Sequence, residues 1–429
     1  EVGSFQLETT RLPQREKPYN LPLELARHRL MRINTKREEW GLFDYPGMES
    51  FAKPIDAARG LFVGALKVAE NAEECARKSS VALEKAMLAS DDMCKFHASV
   101  FLKRRHDTGG FNGRFFGAAL PTLKPDKRLR GLLKESCDFV TVPFIWRDIQ
   151  PKEAGISYDA VESCVNTMLA DGLAITAGPI MNFGVRFVPD WMYIWENDFE
   201  TIFEYAQQYL QQTVSRFADR VSTWIIAGGL HGDNALAFSF EQIMELTRMA
   251  ANVTRAAAPR AKVLIDITQP WGEYYARNQQ TIPPMLYADM IVQGAIPVDG
   301  FGVQFLFGVK SDGYHLRDHL QISTLVDRLA NFGKPIHVTA LGAPSSPAQS
   351  DAGFWRSSWN EQNQSEWLES VAELVLSKPY VETVCFREFC DNSRGIIPTS
   401  GLIAADLTSR PAYDALKQLR ARLRHPPEN

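Results

Sequence analysis

The chain of 429 residues is poor in several features that would have placed it at once. It has six cysteines (Cys75, Cys94, Cys137, Cys164, Cys385 and Cys390), scattered and without a CxxC pair. That pattern argues against a disulfide scaffold and fits buried thiols in a reducing compartment, so a cytoplasmic location is the favoured expectation. The chain opens Glu1–Val2–Gly3–Ser4 without a Met, and no targeting segment is visible in it. Charge of one sign is lacking too: 47 Lys and Arg stand against 51 Asp and Glu, a net charge of −4. No basic excess points to a nucleic-acid partner. No apolar run reaches about eighteen residues, so no membrane-spanning helix is expected. There is no GxGxxG or GxxxxGK[ST] loop and no HExxH, which removes the usual reasons to expect a nucleotide cofactor or a zinc site.

What the sequence does have is texture that changes once. Leu21, Leu25, Leu30, Ile33 and Trp40 recur at helical spacing after the break at Pro18–Pro22. From Pro54 to Arg105 apolar positions fall at i, i+3, i+4 and i+7, with Gly60 and Gly64 the only breakers. Two or three packed helices are predicted there. Lys103–Arg104–Arg105–His106 reads as a solvated helix C-terminus, where cations suit the dipole. Asp107–Gly113, with three glycines, is the best linker candidate. The expected division is a helical extension over 1–107, able to serve in docking or homo-oligomer formation, and a second unit over 108–429.

Beyond the linker, β-branched and aromatic runs alternate with amphipathic stretches. The predicted strands are Phe115–Leu120, Phe139–Trp146, Ala174–Phe183, Ser222–Gly229, Lys262–Gln269, Gly300–Phe307, Pro335–Leu341 and Glu382–Phe389. Predicted helices between them include Tyr158–Asp171, Phe199–Phe217, Phe240–Ala257, Leu320–Phe332 and Asn363–Leu376. Alternation of this kind implies parallel βαβ units. Eight strands over about 310 residues suit a (β/α)8 TIM barrel; an open doubly wound sheet is the alternative.

Barrel enzymes build their sites at the C-terminal ends of the strands. Those ends carry Trp146, Asn182, His231, Asp233, Asp266, Gln269, Trp271, Glu273, Gln304, Glu388 and Asp391, with Trp191 in a following loop. Aromatic faces stack on sugar rings and carboxylates or amides bind hydroxyls, so the mixture suits a carbohydrate ligand. His231 and Asp233, with Asp266 or Glu388, could supply N/O ligands to a divalent ion, but no metal motif supports them and no metal is expected. His315 and His319, four apart, read as an exposed pair at a helix start. A nucleophile built from Ser345, Ser346 or Cys390 with His231 has no support in the spacing.

The order of segments from Phe111 to Leu419 resembles glycoside hydrolase family 10, the xylanase-type barrel. The resemblance is carried by Phe139–Val142 with Trp146 and Ile149–Gly155, Phe187–Trp191, Trp224–Ala227, Gly300–Gln304, Lys334–Thr339, and Gly401–Leu402 followed by Arg410–Leu416. It implies a retaining glycosidase with one Glu after the fourth strand and another after the seventh, their carboxyls about 5–5.5 Å apart. The positions matching those residues hold Gly229, preceded by Gly228, and Ala340. Gly178–Phe183 lacks the histidines of the matching family segment. Neither Gly nor Ala donates a proton or attacks an anomeric carbon, so the ordinary mechanism is not expected. Two readings stay open: a glycosidase with a relocated acid pair drawn from Glu388, Asp391, Asp266 and Glu273, or a catalytically inactive barrel binding glycan or protein. In either, Trp146, Asn182, Trp191, His231, Asp233, Gln269, Trp271 and Gln304 are the candidate ligand-binding residues.

Overall fold

The computed structural model describes residues 2–43, 45–347 and 352–425. A two-residue strand β1 (Gly3–Ser4) leads into three helices, α1 (Leu21–Glu39), α2 (Glu49–Leu66) and α3 (Ala72–Asp107). Pro22 fits the first turn of α1, where its missing N–H would be unpaired anyway. The Asn71 side chain caps α3 by accepting the Glu74 backbone N–H at 3.0 Å.

The barrel strands are β2 (Phe116–Ala119), β3 (Phe139–Val142), β4 (Ala174–Ala177), β5 (Thr223–Gly228), β6 (Lys262–Ile267), β7 (Gly300–Leu306), β8 (Ile336–Gly342) and β10 (Val381–Phe386). They are parallel and close in chain order, β10 pairing with both β8 and β2. The remaining strand, β9 (Phe354–Trp355), pairs antiparallel with β1. The helices are α4 (Lys127–Ser136), α5 (Trp146–Ile149), α6 (Asp159–Ala170), α7 (Phe199–Phe217), α8 (Phe240–Ala257), α9 (Pro284–Gln293), α10 (His319–Ala330), α11 (Glu361–Leu376) and α12 (Pro411–Arg424). All eight predicted strands are present, and the closed barrel, not the open sheet, is the fold. β3 and β4 are buried at every residue, as strands covered on both faces must be. β4 stops well before the predicted Phe183 because Gly178–Pro179 follows it and Pro has no N–H for the ladder. In α8 a capping box of Ser239 and Gln242 starts the helix, and Ile243, Leu246, Ala250 and Thr254 turn one face inward.

Two expectations about the N-terminal part need correction. Gly109, at φ 74°, makes a tight turn, and Phe111 is only 2% exposed in the barrel core, so Asp107–Gly113 is no open spacer. Arg105 is not solvated: its Nη1 donates to the carbonyls of Leu376, Lys378 and Val381 at 2.8, 3.0 and 2.7 Å. This closes the C-terminal end of α11. Further ion pairs join α1 and α3 to the barrel. Arg29 pairs with Asp318, the N-cap of α10, through an Nη1–Oδ1 contact of 3.0 Å. Lys36 and Lys378 both bind Asp327, at 2.5 and 2.6 Å. His319 is buried, with Nδ1 2.6 Å from Asp91 and Nε2 2.7 Å from Ser370, so the exposed His315/His319 pair is not formed.

Candidate functional site

The C-terminal mouth of the barrel is assembled from the segments that follow β4, β5, β6, β7, β8 and β10. Inside it Asp266, the fifth residue of β6, is 1% exposed. Gln304 of β7 donates to its Oδ2 at 2.5 Å, and Thr339 of β8 donates to its Oδ1. Burial pushes this carboxyl above its ordinary range, against those hydrogen bonds and the nearby Arg387 guanidinium. Asp266 and Gln304 are thus brought together, but as partners of each other.

The other carboxylates fare differently. Glu273 follows a turn at Gly272, accepts the Gly313 N–H at 2.5 Å, and is ion-paired with Arg317. Asp391 accepts two hydrogen bonds from Arg410, at 2.8 and 2.6 Å, and a third from the Gly401 N–H at 3.0 Å. Both are therefore held by cations of their own. Glu388 is 6% exposed and lies 3.8 Å from the Arg387 Nε. Burial raises its pKa, with Arg387, Asn392 and Arg186 opposing. Burial likewise raises Asp233, whose Oδ2 lies close to Gly184 and beside Asn182. Asn182 itself accepts the Gly184 N–H at 2.9 Å and shapes that turn.

The two positions expected to match the family's catalytic glutamates, Gly229 and Ala340, have defined surroundings. Gly229 directly follows β5 with φ 75°, a left-handed conformation that a side chain adopts only with strain. A Cβ there would stand 3.4 Å from Thr268 Oγ1. Ala340 lies within β8, opposite Gln304 of β7. It is 1% exposed and belongs to an apolar cluster with Leu306 and Ile397, against which Val309, Tyr314 and Ile396 pack. Ile396 and Ile397 come from the loop after β10. Arg186, in the loop after β4, reaches the Arg394 carbonyl of that same loop at 2.6 Å. Neither Arg186 nor Ile397 stood out in the sequence; only the Ile-Ile-Pro run after the eighth strand could have drawn attention.

The aromatic candidates are mostly committed to packing. Trp146 is 3% exposed, stacks on Tyr209 with centroids 4.5 Å apart, and donates its indole N–H to Gln150 Oε1 at 2.9 Å. It cannot offer a ring face to a ligand, which corrects its assignment. Trp191 packs edge-on against Trp146 and Tyr205 and donates to the Gln150 carbonyl at 2.9 Å. Trp271 sits between Phe305 and Phe307 with the Arg317 guanidinium over its ring, and it faces the N-terminal segment. Gln269, at φ 44°, lies under Gly313 and reaches Tyr314 Oη at 3.5 Å. His231 is fully buried between Tyr274 and Tyr287, and neither ring nitrogen has a side-chain hydrogen-bond partner. Burial lowers its pKa to about 4, so it is neither a surface ligand nor a cation near neutrality. Among the described residues no group of three His, Cys, Asp or Glu could hold a metal ion.

Similarity to known proteins bears on the barrel alone. No curated protein matches the chain. Among solved structures it is similar to native xylanase 10B from Thermotoga maritima, at 16% identity and a TM-score of 0.57, over 73% of this chain and 96% of that one. The GH10 structure from Paenibacillus barcinonensis aligns at 18% identity and a TM-score of 0.56, over 72% of this chain and 96% of that one. Xylanase 10B from Thermotoga petrophila, in complex with xylobiose, aligns at 17% and 0.55, over 72% and 94%. These likenesses show the shared barrel, and α1 to α3 precede the region of the family match. Residues 111–419 match the glycosyl hydrolase family 10 model, most of the chain's length, and on that evidence the chain belongs to glycosyl hydrolase family 10.

Proposed function

We propose that this family 10 barrel binds a neutral glycan, of the xylo-oligosaccharide class, at its C-terminal mouth without hydrolysing it. The observation that carries this reading is Ala340: the position matching the family's nucleophile holds a methyl group buried with Leu306 and Ile397. A nucleophile must reach the anomeric carbon, and the retaining mechanism needs a second carboxyl about 5–5.5 Å away. Gly229 supplies none. Of the four carboxylates considered as replacements, Glu273 and Asp391 are neutralised by Arg317 and Arg410, and Asp266 is enclosed by Gln304 and Thr339. The near-balanced charge of the chain suits an uncharged ligand.

The test is calorimetric titration with xylobiose through xylohexaose, with mass spectrometry of the same samples after prolonged incubation. Saturable binding with intact oligosaccharide supports the proposal. Rapid appearance of shorter products, or no binding to any of them, overturns it. One observation favours the alternative of a relocated acid: Glu388, buried at the start of the loop after β10, has the raised pKa that a general acid needs. Under that reading Glu388→Gln abolishes product release and leaves affinity nearly intact. Self-association through α1 to α3 is a separate proposal, decided by sedimentation of the full chain over a range of concentrations.

A further inference from the structure

We propose that the seam between the N-terminal helices and the barrel is a binding site for a small phosphate-bearing molecule. A cavity of about 670 Å³ lies there, walled on one side by α1, Trp40 and α3 and on the other by α10 and the segment after α11. Its volume is within the range of small-molecule sites, roughly 300–1,000 Å³, which favour junctions of this kind. Four cations line it, Arg32, Lys36, Arg328 and Lys378, against two carboxylates, Glu39 and Asp327. Lys36 and Lys378, 1% and 2% exposed, are used up by Asp327, at 2.5 and 2.6 Å, and by Glu39, which also pairs with Lys36. The excess of two positive charges therefore rests on Arg32 and Arg328. Among the described residues, neither guanidinium has a hydrogen bond or ion pair.

Two unpaired guanidinium groups, one from each side of a cavity, match a dianion. Their planar forks fit phosphate oxygens in pairs, which a single ammonium cannot do. The cavity is larger than inorganic phosphate alone, so a phosphomonoester on a body the size of a sugar or a nucleoside fills it better. Its position makes the ligand a bridge: one guanidinium belongs to the N-terminal extension and the other to the barrel. The site needs α1, which lies outside the region matched to the family.

The experiment is calorimetric titration of the full chain with inorganic phosphate, glucose 6-phosphate and adenosine monophosphate, repeated on Arg32→Gln/Arg328→Gln. Arg114→Gln/Arg260→Gln, which removes two cations from a separate cavity beneath the N-terminal ends of the barrel strands, is the control. Because Arg32 and Arg328 are unpaired, their removal leaves the fold intact, and thermal unfolding of each variant without ligand checks this. The expected result is one site per chain for at least one phosphomonoester, weakened by more than about tenfold in the Arg32/Arg328 variant and unchanged in the control. The tighter of the two organic arms identifies the sugar or nucleoside source. Absence of saturable binding in all three titrations, binding undiminished in the Arg32/Arg328 variant, or equal loss in the control overturns the proposal.

Discussion

Asp391 and Arg410 are joined by two parallel hydrogen bonds, 2.8 and 2.6 Å long, that tie the loop after β10 to the start of α12. The side chains are 17% and 11% exposed. Removing one partner from a largely buried pair leaves an uncompensated charge, and Glu361 is too exposed to make up the loss. Asp391→Asn is therefore expected to destabilise the chain by about 2 kcal/mol without changing glycan affinity. Denaturant unfolding and calorimetry measure the two quantities. A variant of normal stability that has lost ligand affinity would place Asp391 in the site instead.

Placing glutamates at positions 229 and 340 should not create a hydrolase. Gly229→Glu puts a side chain at φ 75°, at a cost of about 1–2 kcal/mol. Ala340→Glu buries a carboxylate among Leu306, Ile397 and their neighbours, where an unpaired charge costs roughly 3–5 kcal/mol. The double variant is expected to unfold at a lower temperature than either single one and to release no reducing ends from xylohexaose. Product release by a folded double variant would show that the mouth is still arranged around the family's chemistry.

The barrel was legible in the sequence because its strands are short runs buried on both sides, and β3 and β4 carry no polar alternation to confuse the count. Gly229 and Ala340 could be placed on the barrel for a related reason, since both sit in or beside strands of fixed register. What could not be read is which way a residue at a strand end turns. Trp146 follows β3 as a ligand-stacking residue would, yet Tyr209 of α7 and Gln150 claim its two functional surfaces. The attachment of the helices was hidden for a different reason. Arg29 and Asp318 are 289 residues apart, and a charge at helical spacing looks the same whether it meets water or a partner.

His231 gives a pH prediction with a definite sign. Its folded-state pKa of about 4 is depressed by burial, against about 6.5 for an unfolded histidine. The unfolded chain takes up a proton as pH falls through 6.5 while the folded chain does not until near 4. Its contribution is therefore constant above about pH 7 and is lost as pH falls toward 4, by up to about 2–3 kcal/mol. His231→Phe keeps the ring between Tyr274 and Tyr287 and breaks no side-chain hydrogen bond. Unfolding free energies at pH 7.5 and 4.5 should thus fall less in His231→Phe than in the parent chain. Equal losses in both would mean that the imidazole is not the titrating group.

Below about pH 5, acid should also loosen the attachment of the N-terminal helices, in addition to the loss that His231 brings to the barrel at higher pH. Burial disfavours the charge on Asp318, Asp327 and Asp91, but their partners outweigh it: Arg29 for the first, Lys378 and Lys36 for the second, His319 and Lys95 for the third. All three carboxyls are held below their ordinary range. A depressed carboxyl stabilises the fold fully above its unfolded pKa, near 4, and that stabilisation is lost as pH falls through the folded value. The attachment of α1 and α3 is thus complete from about pH 5 upward and weakens below about pH 4. Hydrogen exchange of α1–α3, corrected for intrinsic rates, should accelerate more steeply between pH 5 and pH 3 than that of β5 to β8. Asp318→Asn should reproduce part of the loss at pH 7, since it removes the Arg29 pair without acid. Exchange that rises in the helices and the barrel strands together would show that the two parts unfold as one unit.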